Sequence, residues 1–188
     1  MLGTILLAIV IMFPVSEIAL TVFKRASARV ASRQDSGSKG FLWVVIVASF
    51  CLAAAFQWVS VAVIHASAPV LELTALGIMV IGMTVRWTAI LTLGPLFTVE
   101  VAVQTDHRLV DSGIYRHIRH PSYAGLLLMF LGLGVLSANW LSLVALTVPT
   151  TAAIITRIGI EERVLLEALG ASYETYCART RRLVPGVY

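Results

Sequence analysis

Apolar residues in this chain come in long, nearly unbroken runs, without the alternation of a half-buried strand. Residues 2–23 are apolar apart from Glu17. At about 1.5 Å per residue they reach across a hydrocarbon core of about 30 Å, which predicts a first membrane span. Residues 24–40, rich in Lys, Arg, Ser and Gly, read as a solvated loop. A second span is predicted over about 41–64, a short turn over 65–69, and a third span over 70–91 with Glu72 near one end and Arg86 near the other. Gly77 and Gly82 would let another helix approach that third span closely. Residues 92–120 cannot span, because Gly94, Pro95, Asp106, His107, Arg108, Asp111, Gly113, Arg116 and Arg119 break the apolar run. Pro121 suits the first position of a new helix, where its missing donor costs nothing. A fourth span is predicted over 122–136, a tight turn at Ser137, Ala138 and Asn139, and a fifth span over 140–156, both somewhat short. Beyond it, Ile158, Ile160, Val164, Leu165, Ala168 and Leu169 recur at helical spacing opposite Glu161, Glu162, Arg163 and Glu167, the pattern of an amphipathic helix at a membrane face. Gly170 fits its stop, and Ser172 can cap a last short helix over 173–180.

Composition turns this pattern into a class. With 59% hydrophobic and 13% charged residues over 188 positions, and a mean hydropathy of +0.90, the chain is an all-α polytopic membrane protein with no room for a separate soluble domain. Residues 1–188 form a single membrane domain, with three spans in 1–91 and a second half in 92–188. Charge then orients it. All 14 Lys and Arg fall within 24–39, within 86–119, or from Arg157 onward, and five spans bring those regions to one face. The positive-inside rule makes that face cytoplasmic, with the N-terminus outside and the C-terminus inside. No basic residue precedes the first apolar run, so it reads as a signal anchor rather than a cleaved leader. Cys51 and Cys177 have no disulfide or zinc spacing, and Cys51 is expected to pack inside.

Chemistry concentrates beside the fourth span. Residues 111–123 hold two His, two Arg and two Tyr. Guanidinium and imidazole groups at a helix N-terminus can bind a carboxylate or phosphate; Arg116 and Arg119 can equally anchor anionic headgroups. Adjacent carboxylates on a helix point about 100° apart, so one of Glu161 and Glu162 can face a site while the other pairs with Arg157, Arg163 or solvent. His107 reads as a ligand-facing donor or an idle loop residue, His65 as interfacial, and His117 as lying on the back of its turn. Asn139-Trp140 reads as a turn with an interfacial aromatic, and Gly125, Gly132 and Gly134 as helix contacts. No zinc-protease, Walker or serine-hydrolase motif is present, so metal, ATP and serine hydrolysis lack support.

At these residues the sequence resembles the isoprenylcysteine carboxyl methyltransferase family, including its prokaryotic relatives. The matching blocks are Leu93-Gly94, Phe97 to Val101, His107 to Val110, Gly113 to Arg116, Arg119 to Tyr123, Ser137 to Trp140, Glu161-Glu162 with Leu165-Leu166, Tyr173 and Tyr176 after Gly170, and Arg181 to Pro185. They cover roughly the C-terminal half, and the kept spacing of several separate blocks makes the match specific. The resemblance implies a helical membrane methyltransferase that binds S-adenosylmethionine in a pocket made by residues 92–188. It implies that His107, Leu109, Val110, Gly113, Tyr115, His120, Pro121 and Tyr123 line the cofactor site, with Glu161 or Glu162 on the adenosine side. Arg119, as a charge clamp or structural residue of that pocket, and Glu162 are the catalytic candidates. Residues 1–91 match no motif; in this family that half shapes a lipid-side entrance.

The expected reaction is methyl transfer to the carboxylate of a lipophilic acceptor entering from the bilayer. A carboxylate needs no strong base when the leaving group is already cationic, so alignment and desolvation supply most of the acceleration. Other readings open at this point are a phospholipid amine or thiol methyltransferase and an NADPH-dependent membrane reductase of similar architecture. Outside enzymes stands a transporter or assembly subunit, disfavoured because Glu17 and Glu72 lie near span ends. The expected partners are the lipophilic substrate and membrane lipids, with no nucleic acid.

Overall fold

A backbone in lipid must satisfy its own hydrogen bonds, and apolar runs of this length do so as helices. The computed structural model describes residues 2–27, 32–33, 37–97, 102–103 and 109–186. Its helices are α1 (Leu2–Ser27), α2 (Ser38–Phe56), α3 (Ala68–Leu93), α4 (Pro121–Leu136), α5 (Trp140–Leu169) and α6 (Ala171–Arg179). Two-residue strands, β1 (Ser32–Arg33) and β2 (Ala102–Val103), pair antiparallel. Helices α1, α2, α3 and α5 are long and apolar enough to cross a membrane. Helix α4, at 16 residues, is about 24 Å long and falls short of a core of about 30 Å.

The predicted spans appear in order as helices, but the fourth is the short α4, which leaves four helices of spanning length among the described residues, and two bounds differ. The second ends at Phe56, because residues 57–67 turn through a short 3-10 segment at Ser60–Ala62. The fifth does not end at 156. Helix α5 runs unbroken for 30 residues, so the expected span and the amphipathic helix are one element. Arg157 does not interrupt it, since its guanidinium donates to Tyr123 and Ser38 and needs no water.

Close approach of α3 and α4 sets the core. A Cβ on Gly125 would lie 2.6 Å from both the Gly82 carbonyl oxygen and the Arg86 amide nitrogen. Gly132 meets Met79 and Ala75 of α3, and Gly134 meets Leu143 of α5, as expected of helix-contact glycines. Gly77 differs: open space surrounds it. Cys51 also departs from expectation and is exposed. The inward face of α2 is Ser38, Leu42, Ser49 and Ala53, which puts Cys51 on the far side, where lipid rather than protein solvates an apolar residue.

Asn139 does more than turn the chain. Buried, it accepts from the Ser142 amide at 3.1 Å and donates to the Phe56 and Val59 carbonyls at 3.1 and 3.2 Å, joining the α4–α5 turn to the end of α2. Trp140 beside it is exposed. Gly170, at φ +56°, ends α5 and leads directly into α6. Ser172 is not the cap: its hydroxyl donates back to Leu169 at 2.7 Å. The final segment returns alongside residues 117–120. The Arg119 amide donates to the Arg181 carbonyl at 2.7 Å and the His120 amide to that of Arg182 at 2.9 Å.

Candidate functional site

Pro121 opens α4, and the returning C-terminal segment pins the two residues before it. Their side chains and those of the first helical turn therefore meet α5 in a fixed arrangement. Glu162 of α5 accepts from Arg119 Nε at 2.9 Å and from Arg182 Nε at 2.9 Å, with His120 Nε2 at 3.3 Å. Arg119 also donates to the carbonyls of Cys177 and Thr180, at 3.1 and 2.7 Å. One guanidinium thus ties α5, α6 and the segment after it to the mouth of α4. One turn away, the Tyr123 hydroxyl donates to Glu161 at 2.9 Å and accepts from Arg157 Nε at 2.8 Å, while Arg157 Nη1 donates to Ser38 Oγ at 2.8 Å.

Arg119, His120, Tyr123, Arg157 and Glu161 border a cavity of about 510 Å³, a volume typical of small-molecule sites. Leu109, Val110, Tyr115, Arg119, His120, Tyr123, Glu161, Tyr173 and Tyr176 form its polar end. Faces of α1, α2 and α4 form an apolar limb. Burial pushes the Tyr115, Tyr173 and Tyr176 phenols above their ordinary value, with Glu161 raising Tyr115 further. All three stay neutral donors at physiological pH. Tyr176 donates to the Tyr115 carbonyl at 2.7 Å. The buried Tyr173 hydroxyl has no hydrogen-bond partner among the described residues.

A second ionic group lies in the cavity wall. Arg86 of α3 donates through Nε and Nη2 to the two carboxylate oxygens of Glu17 in α1, and through Nη1 to the Ser122 carbonyl and hydroxyl oxygens, each at 3.0 Å. The pair is nearly enclosed, and it joins α1 to the chemistry-bearing turn of α4.

The structure brings most of the sequence candidates together. Leu109, Val110, Tyr115, Arg119, His120, Tyr123 and Glu161 line the cavity. Glu162, Pro121 and Gly113 do not: Glu162 sits behind the wall, Pro121 is buried at the α4 start, and Gly113 packs near Thr92. His107 lies outside the described residues. Glu161 and Glu162 diverge as helix geometry requires, with the paired one held by Arg119, His120 and Arg182 instead of Arg157, Arg163 or solvent. Arg163 bonds its own helix at the Gly159 carbonyl. His117 and His65 are exposed. Pattern reading missed the Glu17–Arg86 pair and the Arg157–Tyr123 bond. A charge of each sign within two apolar runs was the available signal for the first. Nothing local signals the second.

Residues 75–167 match the family model of isoprenylcysteine carboxyl methyltransferases. Protein-S-isoprenylcysteine O-methyltransferase B of Arabidopsis thaliana is 35% identical over 114 residues, covering 60% of this chain and 58% of that protein. The Schizosaccharomyces pombe protein-S-isoprenylcysteine O-methyltransferase is 36% identical over 118 residues, 62% of this chain and 48% of its own length. The solved structure of a eukaryotic intramembrane Ras methyltransferase, isoprenylcysteine carboxyl methyltransferase, superposes with a TM-score of 0.62 at 28% identity, covering 79% of this chain and 53% of that one. The chain spans about half the length of these relatives. Over residues 75–167, which run from α3 into α5 and carry Arg119 and Glu162, this membrane protein is similar to the isoprenylcysteine carboxyl methyltransferase family.

Proposed function

We propose that the chain is an S-adenosylmethionine-dependent methyltransferase that O-methylates the carboxylate of an isoprenylcysteine-type acceptor drawn from the bilayer. The observation that carries this reading is a single cavity with a charged, phenolic end and an apolar limb between membrane helices. The residues present suit the cofactor. Glu161 offers a carboxylate to a cationic ligand, and the buried Tyr173 hydroxyl awaits a polar partner. We assign Tyr115, His120, Tyr123, Glu161 and Tyr173 to hold it, with Leu109 and Val110 against its apolar surface and Gly113 and Pro121 shaping the backbone around them. His107 joins them on the family resemblance.

When bound, S-adenosylmethionine supplies an electrophilic methyl group on a cationic sulfonium. The chain's own part is to align the acceptor and keep water out, which is worth about 7–11 kcal/mol in favourable cases. Arg119 and Glu162 act as positioning residues: the clamp they form fixes His120 and the α4 mouth against α5. The distribution of all 14 Lys and Arg supports placing this end at the cytoplasmic face.

Equilibrium binding to the purified protein tests the reading. Saturable binding of S-adenosylmethionine and of its demethylated product is expected, with labelled methyl appearing as a base-labile ester on an S-prenylcysteine. Binding of NADPH without binding of S-adenosylmethionine would replace it with the reductase reading. Label in amine headgroups but not in the ester would make phospholipid the acceptor.

A further inference from the structure

Two arginines of one short segment have opposite surroundings. Arg119 is drawn inward, its guanidinium on Glu162 and on the Cys177 and Thr180 carbonyls. Arg116, at the end of the 3-10 turn Gly113–Arg116, is exposed, as is His117 beside it. The C-terminal segment returns another exposed arginine to the same place. The Arg181 amide donates to the His117 carbonyl at 3.2 Å, and the Arg181 carbonyl accepts from the Arg119 amide at 2.7 Å. These backbone bonds root the Arg116 and Arg181 side chains close enough to reach one ligand.

Nearby carboxylates are already taken, Asp111 by Arg179 and Glu162 by Arg119, Arg182 and His120. Among the described residues no oxygen accepts from the side chain of Arg116 or Arg181. Exposed guanidiniums fixed near each other without a counter-ion repel, and an anion between them relieves that repulsion.

Depth decides which anion. Helix α5 begins at the exposed Trp140, a residue type that favours the membrane interface. Glu162 lies about 33 Å farther along that helix, close to the thickness of a hydrocarbon core of about 30 Å. Because Glu162 bonds Arg119 directly, Arg116, His117 and Arg181 stand near the level of the lipid headgroups, on the face where the Lys and Arg of the chain collect. Phosphate groups at that level belong to phospholipids.

We propose that Arg116 and Arg181, with His117 beside them, hold the phosphate of one anionic phospholipid. None of the three lines the cavity, so the site is separate from it and stands whether or not the cavity transfers a methyl group. The phosphodiester oxygens accept from the two guanidiniums, whose planar forks match phosphate. A net negative headgroup is preferred to phosphatidylcholine, which brings its own cation. Bound across Arg116 and Arg181, it ties the returning C-terminal segment to the entrance of α4, reinforcing the backbone bonds that pin Arg119 and His120.

The test uses the full chain in nanodiscs of phosphatidylcholine and phosphatidylglycerol in equal parts, with native mass spectrometry counting the lipids retained on the released protein. An arginine at headgroup level adds about fivefold to the preference for anionic lipid. Arg116→Gln and Arg181→Gln should therefore each lower the ratio of bound phosphatidylglycerol to bound phosphatidylcholine by about that factor. Both side chains are exposed, and either variant alone suffices. Arg163→Gln removes another exposed arginine, one that bonds its own helix, and should leave the ratio unchanged. An equal fall for Arg163→Gln makes the preference one of overall surface charge and overturns the site, as does an unchanged ratio in the Arg116→Gln, Arg181→Gln double variant. Inorganic phosphate separates the two sources of the anion. Phosphate adducts in pure phosphatidylcholine discs that require both arginines, with loss of phosphatidylglycerol from the mixed discs, would assign the pair to a soluble phosphate and overturn the lipid site.

Discussion

At the polar end of the cavity, Arg119, Glu162, His120 and Arg182 hold one another by directed bonds, and the C-terminal segment closes the set. The apolar limb is held chiefly by the shapes of Phe13, Phe50, Phe130 and the helix faces around them, with the Glu17–Arg86 pair as a polar tie from α1 to α3. The difference teaches where each end is vulnerable. Removing one member of a buried ionic set leaves its partner charged and unpaired, whereas trimming an apolar wall costs packing and adds room.

Arg119→Ala is the sharpest way to break the polar end. It leaves Glu162 with Arg182 and His120 and strands the Cys177 and Thr180 carbonyls, and we expect a loss of about 3 kcal/mol in unfolding free energy together with a drop in S-adenosylmethionine affinity. Denaturant unfolding in detergent and calorimetric titration read the two effects, and wild-type behaviour in both would dissolve the distinction between the ends. Glu17→Ala should follow at about 3 kcal/mol, because Arg86 remains buried without its counter-ion. Replacing both as Glu17→Leu with Arg86→Met should recover most of that loss. A double variant no better than the single one would mean that the Ser122 contacts, rather than the ion pair, hold this region. Gly125→Ala puts a methyl 2.6 Å from the Gly82 carbonyl oxygen, and the overpacking should cost about 1–3 kcal/mol by thermal unfolding. The smallest effect is reserved for Tyr173→Phe. Removing a hydroxyl without a partner leaves stability within about 0.5 kcal/mol, while cofactor affinity weakens by about 0.5–1.5 kcal/mol through the hydrogen bond it no longer supplies. Unchanged affinity would remove Tyr173 from the site.

The same contrast governs what could be read in the sequence. Apolar runs revealed the helices because bilayer thickness fixes their length, and the density of His, Arg and Tyr around residues 115–123 exposed the polar end. Glu162 could be named, yet its partner Arg182 lies 20 residues later and is set by a returning segment with no periodic signature. The limb was hidden for a different reason. Phe13, Phe50 and Phe130 are ordinary apolar residues within apolar runs, and only the packing of three helices makes them neighbours. The continuity of α5 was obscured by Arg157, a charge that looks like an end until its partners are known.

Helix α4 carries Ser122 and Tyr123 of the cavity wall on its first turn and spans only about 24 Å. A hydrocarbon layer of about 30 Å can accommodate so short a helix by thinning around it, at a fraction of a kcal/mol per ångström. Thinner lipid there draws the headgroup region toward the mouth of the cavity. On the methyl-transfer proposal, an acceptor anchored by a prenyl tail keeps its anionic head hydrated until it enters, so that local membrane deformation becomes part of substrate delivery.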